Sequence, residues 1–87
     1  MPRTSTGWRG SRKTVLDIYI GRRLRERRTE LGMSQKELAA ELGLSHQQVH
    51  KYEIATDRIS ASQLFHISKA LDVTIPFFFQ GWPRGSR

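Results

Sequence analysis

The 87-residue chain contains no cysteine. That excludes a disulfide framework, a thiolate metal site and a cysteine nucleophile, and it fits a reducing compartment. No apolar run approaches the roughly 18 residues a bilayer span requires. The N-terminal stretch MPRTSTGWRG has no apolar signal core, so a cytoplasmic location is expected. Strand-like alternation of apolar and polar residues is missing, which points to an all-α fold. A nucleophile elbow, a Gly-rich phosphate loop and paired carboxylates are also missing, so neither enzyme activity nor a cofactor or small-molecule ligand is expected. The acids Glu26, Glu30, Glu37 and Glu41 sit among basic residues and read as helix-surface charges.

What the chain has is positive charge. Its formal net charge is +7, and nine of its fifteen Lys/Arg residues fall between Arg3 and Arg28, against two acids, Asp17 and Glu26. Such asymmetry suits a polyanion: nucleic acid or, less specifically, an acidic membrane surface. Residues 1–13 are rich in Arg, Gly, Ser and Thr with no apolar period, so residues 1–16 are expected to form a flexible basic arm. Residues 17–80 then read as one helical domain and 81–87 as a frayed tail.

Asp17 is expected to cap a first helix of about Ile18–Leu31, ended by Gly32, with Ile20, Leu24 and Leu31 on its buried side. Three capping-box patterns follow: Ser34 to Glu37, Ser45 to Gln48 and Ser60 to Gln63. A fourth helix over about Ala61–Leu71 carries Leu64, Ile67, Ser68 and Leu71 on one side. Thr74-Ile75-Pro76 resembles a further start, with proline tolerated in the first turn.

The stretch Gln35 to Ile54, QKELAAELGLSHQQVHKYEI, carries the most information. It reads as two short helices around the turn Gly43-Leu44-Ser45. Ala39 is small where the second helix must cross the first. Gly43 suits the left-handed backbone that commonly ends a helix, and Val49 points back between the two. This is the helix-turn-helix pattern, whose second helix enters the DNA major groove.

From Ile20 to Phe79 the chain resembles the Cro/repressor (xenobiotic-response-element type) helix-turn-helix family. The pieces that carry it are IGRRLRERRTELGMSQKELAAELGLS, VHKYE and LFHISKALDV. The resemblance implies a compact five-helix domain that binds double-stranded operator DNA as a two-fold homodimer. Two departures stand out: Ala55 occupies a place where the family commonly has glycine, and the following loop reads Thr56-Asp57-Arg58-Ile59 in place of a basic, proline-containing one.

Residues at the start of the recognition helix reach base edges. Gln47 is the first candidate, since its amide can pair bidentately with adenine. Lys51, one turn on, suits guanine or a phosphate, and Gln48 is divided between capping and a base. His46 matches a family base-contact position. Gln35 and Ser45 begin the two helices of the motif, where free N–H groups favour phosphate. Arg23, Lys36 and Arg58 are further phosphate candidates. The resemblance suggests an ion pair between Arg28 and Glu53. Arg3, Arg9, Arg12 and Lys13 in the arm either enter a narrow minor groove or form a solvated tail. Phe77, Phe78, Phe79 and Trp82 are too apolar for one helix end and are expected to cap the core and supply a dimer interface. His46 and His50 have the spacing of a metal pair, but a third ligand is missing and no metal is expected. A DNA-binding regulator is the reading, whether repressor, antitoxin or restriction–modification controller; a protein-interaction adaptor is the alternative.

Overall fold

A computed structural model describes residues 13–83. They form four α-helices, α1 (Val15–Glu30), α2 (Gln35–Leu42), α3 (His46–Glu53) and α4 (Ala61–Leu71), followed by a 3-10 segment, Ile75–Phe79. The all-α class is as expected, with a 3-10 segment in place of the fifth α-helix. Within that segment the Phe77 N–H bonds the Thr74 carbonyl at 3.0 Å, the three-residue closure that defines a 3-10 turn. Among the described residues no helix is long and apolar enough to cross a membrane.

Helix α1 starts three residues before the expected Ile18. Its N-cap is Thr14, not Asp17. The Thr14 hydroxyl oxygen accepts from the Asp17 N–H at 3.2 Å, and the Asp17 carboxylate accepts from the Thr14 N–H at 2.8 Å. This reciprocal box satisfies two backbone donors that a helix start otherwise leaves unpaired. At the other end Leu31 lies beyond the last helical residue and is exposed, contrary to expectation, because the chain turns away at Gly32. Of the remaining boxes, Ser34 and Glu37 close both bonds. Ser45 and Ser60 cap their helices, accepting from the Gln48 and Gln63 amides.

The core is a cluster of Leu24, Leu38, Ala39, Val49, Leu64, Ile67, Leu71 and Phe78. Every helix contributes to it, which is how an 87-residue chain closes around one small interior. The polar side of α1 is used as well. The Arg23 Nε donates to the Phe77 carbonyl at 3.1 Å, and its guanidinium lies 3.9 Å from the centre of the Phe77 ring. The Arg27 Nε donates to the Leu71 carbonyl at 2.9 Å, a cation on the C-terminal end of α4. The Tyr19 hydroxyl donates to the Gln80 carbonyl, and its ring packs 5.3 Å from Trp82. Helix α1 therefore clasps the end of α4 and the C-terminal segment through groups 44 to 61 residues away in sequence.

Candidate nucleic-acid interface

Helix α2 ends as its sequence dictates. Gly43 adopts φ 70°, and the Leu44 N–H returns to the Ala39 carbonyl at 2.9 Å. That tight closure lets α3 begin at Ser45 and cross α2 over the buried Ala39. One side of α3 is sunk into the protein, with Val49 fully buried, Tyr52 half-buried and Glu53 buried. Gln47, His50 and Lys51 stand exposed on the opposite side, with His46 half-buried beside them. The spacing i, i+3, i+4 puts the three exposed side chains on one face.

Two features of α1 fix the depth of α3. Gly21 is buried in mid-helix, and a Cβ there would lie 2.6 Å from the carbonyl oxygens of both Tyr52 and Glu53. No side chain fits between the two backbones. Two turns further on, Arg28 and Glu53 form a two-pronged pair, Nε to Oε2 at 2.6 Å and Nη2 to Oε1 at 3.1 Å. Their side chains are only 10% and 3% exposed. The Arg28 Nη1 also donates to the Met33 carbonyl at 2.7 Å, so the charge is well provided with partners. Gln35 joins the group, its Nε2 donating to Glu53 Oε1 at 2.9 Å and lying 3.4 Å from His50 Nδ1. The first residue of α2 is thereby tied to the last of α3.

Gln48 is engaged elsewhere. Its amide donates to Asp57 at 3.0 Å, so the side chain is turned to the loop after α3 and away from both the second half of its capping box and the exposed face. In the same loop Ala55 has φ 62°, the left-handed conformation that glycine adopts without strain. Arg58 faces Asp17 at 3.2 Å. Burial raises the Asp17 carboxyl, but hydrogen bonds from the Thr14 amide and hydroxyl and the Arg58 guanidinium outweigh it and hold the group below its ordinary 3.8.

The remaining sequence-derived candidates divide. Lys36 is exposed at the start of α2, and Ser45 caps α3. Arg23, taken from sequence as a phosphate candidate, is committed to Phe77, Glu26 and Gln80. Phe78 is fully buried and cannot face a partner; this corrects its inclusion in a dimer surface. Phe77 lies under Arg23, Trp82 against Tyr19, and Phe79 is 37% exposed. Arg3, Arg9 and Arg12 lie outside the described residues. Sequence reasoning missed Gly21 and Asp57. For Gly21 a signal was present: a glycine inside a helix costs about 1 kcal/mol against alanine, so its presence there asks for a packing reason.

The helix-turn-helix family model matches residues 24–78, which take in the end of α1, all of α2 to α4 and most of the 3-10 segment. The chain belongs to that family. An uncharacterized helix-turn-helix transcriptional regulator of Sinorhizobium medicae is 50% identical over 68 residues, 78% of this chain and 49% of its own length. An uncharacterized transcriptional regulator from the ATPase CF(0) region of Rhodospirillum rubrum is 49% identical over 70 residues, 80% of this chain and 65% of its own length. This helix-turn-helix chain thus spans about half to two-thirds of the length of these curated relatives. Among solved structures, the restriction–modification controller C.AhdI of Aeromonas hydrophila superposes with a TM-score of 0.68 at 34% identity, covering 71% of this chain and 94% of that one. The P22 c2 repressor, crystallised with a synthetic operator, gives 0.65 at 27% identity with the same coverage.

Proposed function

We propose that this chain is the operator-reading module of a bacterial transcriptional regulator, a binding protein and not an enzyme. The observation that carries the reading is the two-sidedness of α3. Its inner side is locked by Val49, Gly21 and the Arg28–Glu53 pair, so its outer side can present Gln47, Lys51 and His50 without reorganising. Preorganisation of this kind lets a side-chain amide discriminate one base pair, with about 1–3 kcal/mol at stake. The helix-turn-helix family and the operator-bound P22 c2 relative support the same reading.

Gln47, Lys51 and His46 are the proposed base-reading residues. The amides beginning α2 and α3, at Gln35 and Ser45, together with Lys36, take phosphates that fix the register. Gln48 is left out, because its amide is held by Asp57. The functional unit is a homodimer that sets two copies of α3 about 34 Å apart, one helical turn of DNA. Phe79, with the edges of Phe77 and Trp82, supplies the contact.

Selection of bound sequences from a randomised duplex pool, at two salt concentrations, tests this. A palindrome with half-sites one helical turn apart is the expected product. Enrichment of nothing, with binding that collapses as salt rises, would leave only charge-driven association. The helical domain would then read as a protein-interaction adaptor.

A further inference from the structure

The rim of the exposed face of α3 carries an ammonium that the recognition helix does not supply. Lys13, immediately before the Thr14 cap of α1, donates from Nζ to the Ile54 carbonyl at 3.3 Å. Ile54 is the C-cap of α3 and is 48% exposed. Its side chain follows Gln47 by seven residues and Lys51 by three and continues their face, while its carbonyl marks the end of the helix beside that face. The carbonyls at a helix end lack intrahelical partners and carry the negative pole of the helix dipole, which holds a cation in place. One of the three ammonium protons is used there, and among the described residues the other two meet no acceptor.

The loop beside it offers less. Asp57 is acidic and accepts from Gln48, and Arg58 is drawn to Asp17. A concavity lined by Lys13, Ala55, Thr56, Asp57 and Arg58 lies on the loop side of Lys13. Its Asp57 carboxylate repels an anion, which leaves the Ile54 side of Lys13 as the favourable approach.

We propose that Lys13 is a positioning residue of the DNA interface, an ammonium held on the C-terminal end of α3 that grips a backbone phosphate beside the base-reading face. It docks the far end of the helix while Gln35 and Ser45 dock the near end. This assignment rests on the DNA-binding reading above. It differs from a minor-groove role for the arm, because the residue acts at the rim of the major-groove helix and contacts no base.

The test is the salt dependence of binding to the selected duplex, measured by fluorescence anisotropy for the wild-type chain and the variants K13Q, K13R and K69A. Each phosphate contact contributes about 0.9 to the slope of log K against log salt. K13Q should lower the slope by about that much and weaken binding roughly five- to tenfold at about 0.1 M salt, equally for matched and mismatched duplexes. K13R should restore the slope. Lys69 lies on α4 over the Phe65 ring, so K69A should match the wild type. If Lys13 only caps α3, K13Q lowers the melting temperature of the free protein and leaves the slope unchanged, and the proposal is overturned. Wild-type protein that selects no duplex overturns the DNA-binding reading as well, so the two failures are distinguishable.

Discussion

Helices α2 and α3 are each eight residues long and each begin at a serine cap, yet they are held by different means. Helix α2 is locally complete. Ser34 and Glu37 close its start in both directions, Gly43 ends it, and Leu38 and Ala39 face the core. Helix α3 has half a box, no glycine at its end and one apolar side chain fully buried, Val49. Remote groups make up the difference: Gly21 and Arg28 from α1, Gln35 from α2, Asp57 from the following loop and Lys13 from before α1. A helix whose outer face is given over to a ligand cannot also spend that face on the protein. Its position has to come from its inner side and its ends.

Breaking the remote support of α3 should therefore cost more than breaking the local support of α2. The largest effect is expected for Arg28→Ala, which strands the buried Glu53 carboxylate and should destabilise the fold by about 3–5 kcal/mol in denaturant titration. Replacing both partners, Arg28→Met with Glu53→Leu, should recover much of that loss, because no buried charge is left unpaired. If the double variant is no better than the single one, the cost lies in packing and not in charge.

Gly21→Ala comes next. On an uncovered helix this change would stabilise by up to about 1 kcal/mol. Here the added methyl meets two backbone carbonyls, and overpacking of this kind costs about 1–3 kcal/mol. Affinity for a selected duplex should fall along with stability, since α3 must move outward to make room. A stabilised variant would show that α1 and α3 are not in the contact described.

Ser34→Ala should cost about 1 kcal/mol, the usual worth of an N-cap, and should loosen α2 with little effect on α3 in amide hydrogen exchange. The smallest effect belongs to Asp17. Its carboxyl is depressed in the folded state, so its contribution is complete above the unfolded-chain value and is lost as pH falls through the lower folded value. Acid titration should release the first turn of α1 below pH about 4, and Asp17→Asn should remove that step from the stability profile.

The same contrast governs what could be read from sequence. Ser34 and Gly43 were legible because each acts within its own turn, and Ala39 and Val49 because their spacing and size within the two-helix motif mark them as inward-facing. Thr14 was not legible as the cap, since in its pairing with Asp17 either side chain can cap and only the backbone distinguishes them. Phe77, Phe78 and Phe79 could be divided between core and surface in principle, but not assigned. Burial of Phe78 depends on the 3-10 turn, and Phe77 is covered by an arginine 54 residues earlier in the chain. Arg23 reads from sequence as a phosphate candidate because its carbonyl partner, Phe77, lies 54 residues away in the chain. The base-reading candidates Gln47 and Lys51 were visible as a pattern on one helix. Of what holds that helix, Val49 and the Ser45 cap were visible and the family resemblance suggested the Arg28–Glu53 pairing, whereas Gly21, Gln35, Asp57 and Lys13 were not legible as its supports.

The most direct test of the central claim is a titration of isotope-labelled protein with the selected duplex, followed by backbone amide chemical shifts. The outer face of α3 and the starts of both motif helices are the expected contact, so Gln35, Ser45, Gln47 and Lys51 should shift most. Phe65, His66 and Lys69 on the outer side of α4 should stay still. Large shifts confined to α4 or the C-terminal segment, with α3 silent, would contradict the account.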